Sequence, residues 1–325
     1  MKRALFTIAA LVLVTLGLSA QSLSAELTDK DIPVSEFNSI DVSDSFDVTV
    51  SRGTYGVRLT VDKNLAPYVE IYVKAKTLYL SYDEKSVPKD VKKLYKGKGG
   101  LTPMFRVVVY TPELQSVSLA DNATFTALEE FLANKFELTA TGKSLVKNLS
   151  VSASSAKVIL KKNAAATVTL RTERGVEVST DNNANLKMNF SGNELALNTE
   201  GSSVVVADGS CTSINSVSSG SSQVSVVSDN TEKVDLNAEG ASKVTLTGKA
   251  TEMTVKGSRN STVDAFSMPV ETVEATLANS SSVTVTVSKQ ITASLVGGSA
   301  LYYSGTPEFR IKKIVKSTLA PYGTK

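Results

Sequence analysis

The sequence predicts an all-β protein: a single-stranded, right-handed parallel β-helix with repeats of about 20 residues and capped ends. Three observations carry that reading. Apolar or small residues recur at every second position, the period of a strand with one buried face. One sentence returns along the chain, as LALNTEGSSVVVADG, KVDLNAEGASKVTLTG and VEATLANSSSVTVTV. A bend residue, usually Gly or Asn, stands at the centre of each copy.

The bends fall at Asn182, Gly201, Gly220, Gly240, Arg259, Asn279 and Gly297, separated by 19, 19, 20, 19, 20 and 18 residues. Six positions before each bend stand Val176, Leu195, Ile214, Val234, Met253, Val273 and Ile291. Two positions after it stand Ala184, Ser203, Ser222, Ser242, Ser261, Ser281 and Ser299. Four after it stand Leu186, Val205, Val224, Val244, Val263, Val283 and Leu301. Gly and Asn tolerate φ > 0 and let the chain turn sharply. The small residue fits where the bend brings backbone inward. A unit this short cannot bury its own apolar edge, so copies must stack. Coiling in one direction pairs equivalent strands in parallel, and the crossover rule favours a right-handed coil. A helix is excluded by the spacing of 2 and by the Ser, Thr, Gly and Val content.

Residues 1–25 read as a signal peptide. Lys2 and Arg3 precede an apolar run from Ala4 to Leu18, and Ala20 and Ala25 are candidate cleavage positions. The run is about 15 residues, short of the roughly 20 a membrane span needs. Residues 26–110 read as a strand-rich N-terminal cap, with a Lys-rich excursion loop over 84–100. The repeats occupy 111–305. Bends fit at Asp121 and Gly142, but between Leu145 and Gly175 the register is ambiguous and irregular turns are expected. Residues 306–325 form a basic C-terminal cap or tail. Seven of the ten Tyr lie between Tyr55 and Tyr110, and the others are Tyr302, Tyr303 and Tyr322. That placement suits bulk filling the two ends.

Composition narrows the chemistry. The formal charge is +3, so no bulk field points to nucleic acid. The chain has no His and no Trp, which removes the commonest general base, the Ser-His and Cys-His pairs, and the best sugar-stacking ring. Cys211 is the only cysteine, so no intrachain disulfide forms, and it reads as a small packed side chain. Glu173, Asp181, Glu200 and Glu239 lie near bends without a fixed paired spacing, whereas retaining glycosidases need two carboxylates about 5 Å apart. DNNAN at Asp181 and SDN at Ser228 are isolated and lack the Gly-rich calcium nonapeptide. Gly97, Gly99 and Gly100 are not followed by the Lys-Ser/Thr of a phosphate loop. No catalytic, cofactor-binding or metal-binding residue is assigned, and no cofactor is expected.

The layout resembles a known family. A strand pattern F-x-x-I-x-V-x-x-x-F-D-V-x-V runs from Phe37 to Val50. A segment V-x-V-Y-x-P-x-L follows from Val107 to Leu114, then the repeats V-x-x-x-x-x-G-S/A-S-x-V. This is similar to the head GIN domain family of autotransporter adhesins, a Bacteroidetes-type domain of unknown function. The likeness spans Phe37 to Gly305 and implies the β-solenoid fold. The family's G-x-G-D turn is replaced here by G-S-S or G-A-S.

The expected function is that of an exported, non-enzymatic β-solenoid of the cell envelope, an adhesin or binding scaffold. Its place would be the periplasm, the outer-membrane surface or the extracellular space. Its partner would be an envelope, host or polysaccharide component, with no nucleic acid and no transmembrane span after cleavage. Two other classes compete: a carbohydrate-active β-helix enzyme on acidic polysaccharide, and a periplasmic structural or sensory scaffold.

Overall fold

The computed structural model describes residues 26–97 and 100–323. The leader expected over 1–25 lies outside them. The described chain is a β-solenoid of about 10 turns whose parallel pairings link residues about 20 apart.

The N-terminal part folds back on itself. It contains β1 (Leu27–Ile32), β2 (Ser39–Val42), β3 (Asp47–Ser51), β4 (Gly56–Asp62), β5 (Val69–Lys74), β6 (Thr77–Tyr82), α1 (Lys89–Leu94) and β7 (Phe105–Tyr110). β2 and β3 are two arms of one rung, separated by a bend at Asp44 with φ 64°. On one side β6 and β7 lie parallel to them. β5 then lies antiparallel on β6, β4 antiparallel on β7, and β1 antiparallel on β4. Antiparallel strands here cover an end that a parallel stack would leave open. Aromatic rings fill the space beneath: Phe37 meets Tyr55 at 5.4 Å, and Phe105 meets Phe46 at 5.3 Å and Tyr82 at 4.8 Å. Tyr95, from the Lys-rich loop, reaches into this cap. Burial, then the Asp62 carboxylate, pushes its phenol pKa up.

On the other side β2 and β3 carry the rest of the stack. β8 (Ser116–Leu119) pairs with β2, and β9 (Thr124–Ala140) pairs with both β3 and β8. There follow β10 (Leu145–Lys162), β11 (Ala165–Asn182), β12 (Asn185–Ser191), β13 (Glu194–Thr199), β14 (Val204–Ser210) and β15 (Ser213–Ser218). Then come β16 (Gln223–Glu239), β17 (Lys243–Ser258), β18 (Thr262–Leu277), β19 (Ser282–Val296), β20 (Ala300–Ser304), β21 (Glu308–Val315) and β22 (Thr318–Pro321). Every residue in the three columns read from the sequence is buried, and all seven bends have positive φ, from 52° at Asn279 to 75° at Gly240. The columns stack in register, with Val176 on Leu195, Leu195 on Ile214, and Val224 on Val244.

The stretch expected to be irregular keeps the phase. Lys162 is its bend, with φ 64°, and aligns with Asn182. A Lys in place of Gly or Asn, with Ala156, Ala164 and Ala166 in the inner columns, hid it from the eye. The irregularity takes another form. Register shifts around Val146–Ser150 mark β-bulges, one of them filled by the Asn148 amide donating to the Ala127 carbonyl at 2.9 Å.

The corner changes character near the C-terminus. Up to Gly240 the residue after the bend donates its N–H to the bend carbonyl of the preceding rung, as Ala241 does to Gly220 at 2.7 Å. From Arg259 onward two consecutive residues adopt positive φ, and the bond reverses. Asn260 donates to Asn279 at 3.0 Å and Gly298 to Lys316 at 2.8 Å, both toward the following rung.

The inner small-residue column has a consequence for stability. The hydroxyls of Ser222, Ser242 and Ser261 are buried and make no hydrogen bond. Ala123, Ala164 and Ala184 occupy the same column without loss of packing. A buried unpaired hydroxyl costs about 1–3 kcal/mol. Ser242→Ala should therefore raise unfolding stability by about 1 kcal/mol in a urea titration. A loss of similar size would show that the hydroxyl has a partner after all.

Candidate binding surface

The outward positions of the arms form columns as regular as the inner ones. Five residues before successive bends stand Ser39, Ser116, Glu137, Lys157, Glu177 and Ala196, each paired with the next along the stack. Beside them, seven before the bend, run Lys135, Ser155, Gly175 and Glu194. Small residues at Ser155, Gly175 and Ala196 leave room between longer neighbours. The result is a trough of about 790 Å³ that crosses successive rungs and is rimmed by Arg174.

Its electrostatics are mixed. Lys157 donates to Glu177 at 2.8 Å, and that bond, with the charge of Glu177, raises the ammonium pKa. Lys135 and Arg174 add donors, and Glu137 and Glu194 add acceptors. Side by side these groups can bracket hydroxyls, which both donate and accept. Phe136 lines the floor but is buried, so no open ring face is offered for stacking.

The carboxylates singled out from the sequence do not gather. Asp181, Glu200 and Glu239 each stand one residue before a bend. Asp181 accepts from the Asn182 N–H at 2.6 Å, Glu200 from the Asn198 amide at 3.1 Å, and Glu239 pairs with the Arg259 guanidinium. Glu173 accepts from the Ser154 hydroxyl at 3.4 Å, at a second, smaller hollow. Ser228 turns inward, where its hydroxyl accepts from Thr231 at 2.9 Å and from the Cys211 N–H at 3.3 Å. Cys211 is buried beside it, and burial pushes its thiol pKa up. Among the described residues no three acidic or Cys side chains cluster as metal ligands. In the Lys-rich loop, Lys85, Lys89, Lys93 and Lys96 are exposed, while Gly99 lies outside the described residues.

The sequence reading missed the trough because it lies where the repeat register was ambiguous. Once Lys162 is recognised as a bend, Lys157 falls into the same outward column as Glu137 and Glu177.

Stacked rungs with a polar trough define a β-solenoid with a surface suited to binding. The chain belongs to the family described as putative auto-transporter adhesin, head GIN domain, whose model matches residues 36–173 and 147–307. A putative adhesin from Parabacteroides merdae is similar in structure, at 18% identity over 92% of this chain and 98% of that one, with a TM-score of 0.33. A putative adhesin from Parabacteroides distasonis shares 20% identity over 91% and 97%, TM-score 0.33. A putative lipid binding protein from the same species shares 15% over 92% and 98%, TM-score 0.32. No curated protein matches the chain. Among the described residues no helix is long and apolar enough to cross a membrane.

Proposed function

We propose that the chain is an exported, non-enzymatic binding protein of the cell envelope that acts as an adhesin for hydroxyl-rich polymer. The trough carries this reading: donors at Lys135, Lys157 and Arg174 and acceptors at Glu137 and Glu194 are spread over four successive rungs, each about 4.8 Å from the next. An extended glycan laid across the rungs would meet such groups again and again. Without an aromatic platform each contact is weak, and useful retention comes from many copies acting together. Family membership and the leader-like residues 1–25 support display outside the cytoplasm.

The test is retention of glycan-coated beads on a surface dense with the purified protein. Arg174→Ala combined with Lys135→Ala should cut retention by about tenfold or more, given the loss of two charge-assisted donors. Both side chains are outward-facing, so the melting temperature should stay the same. Unchanged retention would remove the trough from the reading. Turnover of a uronic-acid polysaccharide would replace the adhesin with an enzyme.

A further inference from the structure

The two ends of the solenoid differ. The N-terminal end is covered by antiparallel strands, and among the described residues the C-terminal end is uncovered. β21 pairs with β19 on one side. Among the described residues no strand pairs with its other edge, and all eight of its residues are exposed. The inner column continues into it, with Phe309 on Ile291, Ile311 on Ala293 and Ile314 on Leu295. One rung earlier those positions are fully buried. Here Phe309 is 45% exposed, Ile311 46% and Ile314 40%.

We infer that this end accepts a strand from another protein, apolar at alternate positions and acidic at the positions between. The apolar positions follow from the open column, which ends as a row of uncovered side chains two residues apart or nearly so. The extended backbone follows from the free edge, whose N–H and C=O groups need partners. The acidic positions follow from the outer face. Arg310 and Lys313 align with the outward Thr292 and Ser294, and Lys316 follows them. None of these three is in an ion pair among the described residues, whereas Lys312 is already held by Glu274 at 2.6 Å. Glu308, at the start of the strand, is the one opposing charge.

Two other occupants fit less well. A second copy joined tail to tail would set Arg310 and Lys313 against their own equivalents, which repel. The acidic strand β1 of a second copy is already committed, with Asp31 on Arg58 at 2.8 Å, Glu26 on Lys63 at 3.0 Å and Asp29 on the Thr60 hydroxyl at 2.6 Å. A lipid surface would satisfy the side chains but leave the edge amides unpaired in hydrocarbon. The inference concerns a different surface from the trough, so either reading can fail alone.

The experiment is fluorescence anisotropy of the full exported chain with labelled peptides of about eight residues, the length of one arm. One peptide alternates Val and Glu, one alternates Val and Lys, and one has the first composition in blocks. The Val/Glu alternating peptide should bind at least about tenfold more tightly than either other. Arg310→Glu with Lys313→Glu should reverse the preference, and Ile311→Lys should abolish binding. The two charge reversals lie on an exposed face, so folding, checked by circular dichroism, should be retained. Equal binding of all three peptides, or no effect of charge reversal, would overturn the inference. So would a dimer that Ile311→Lys dissolves in sedimentation, or binding to anionic phosphatidylglycerol vesicles in place of peptide.

Discussion

Val244→Asp should leave the central rungs unfolded at room temperature. Val244 is 1% exposed and lies between Val224 on one rung and Val263 on the next. Losing its burial removes roughly 1.5–3 kcal/mol. A carboxylate in its place has no cation within the apolar column and costs several kcal/mol more. The sum, on the order of 5 kcal/mol or more, rivals the whole stability of many domains. The defect also breaks two interfaces at once, because each rung is held by its neighbours. Urea unfolding followed by circular dichroism measures the effect. Lys243→Asp, one residue away on the outside, should stay within about 0.5 kcal/mol of the parent. If Val244→Asp melts like the parent, the register of the solenoid is wrong.

Gly248→Ala should be nearly as damaging, although it adds one methyl group. Gly248 aligns with Ser228 on the preceding rung and adopts φ 126°, a region closed to L side chains. A Cβ there would land on the Ser228 carbonyl oxygen, which is backbone and cannot swing away. The same residue anchors the inner hydroxyl network with Thr231 and Cys211. Relief requires the corner to move, and a loss of about 3 kcal/mol or more is expected, in the range of strained backbone plus disrupted packing. Gly53→Ala is the control: its added methyl would sit 3.5 Å from Tyr110, ordinary contact, and should be close to neutral. Similar melting temperatures for the two variants would mean that the rungs slide past one another more freely than their register implies.

Much of this architecture was legible in residue order alone, and the reasons differ from place to place. The columns at Val176, Ser203 and Val244 could be read because one physical demand repeats at each rung. A buried position wants an apolar side chain and a bend wants φ > 0. Lys162 shows the limit, whereas Arg259 was legible as a bend from its spacing alone. Each occupies the bend with positive φ despite its bulk, because the long side chain points to solvent. Stacked neighbours impose the conformation there and local preference yields. The fold-back of β4 to β7 over the first rung was not readable either. Its strands alternate like any others, and nothing local says that β2 pairs with β6 and β8 at once. The trough was hidden for another reason. Outward residues answer to no packing rule, so Lys135, Gly175 and Glu194 show no pattern until the register is known.

The reversal of the corner hydrogen bonds bears on how the molecule would yield to force. Ala241 bonds backward and Asn260 bonds forward, so the corner between Gly240 and Arg259 has donors facing away from it on both sides. The exposed Arg259–Glu239 ion pair spans that seam, and pairs of this kind contribute little. Backbone ladders run along the long axis, so tension applied at the open end would draw rungs off one after another. Each would release about 19 residues, or roughly 65 Å of extended chain. The rungs beyond Arg259 would come away in this order first, before the seam is reached. A tether that lengthens in steps while its base stays folded keeps its grip under a pull that would snap a rigid rod.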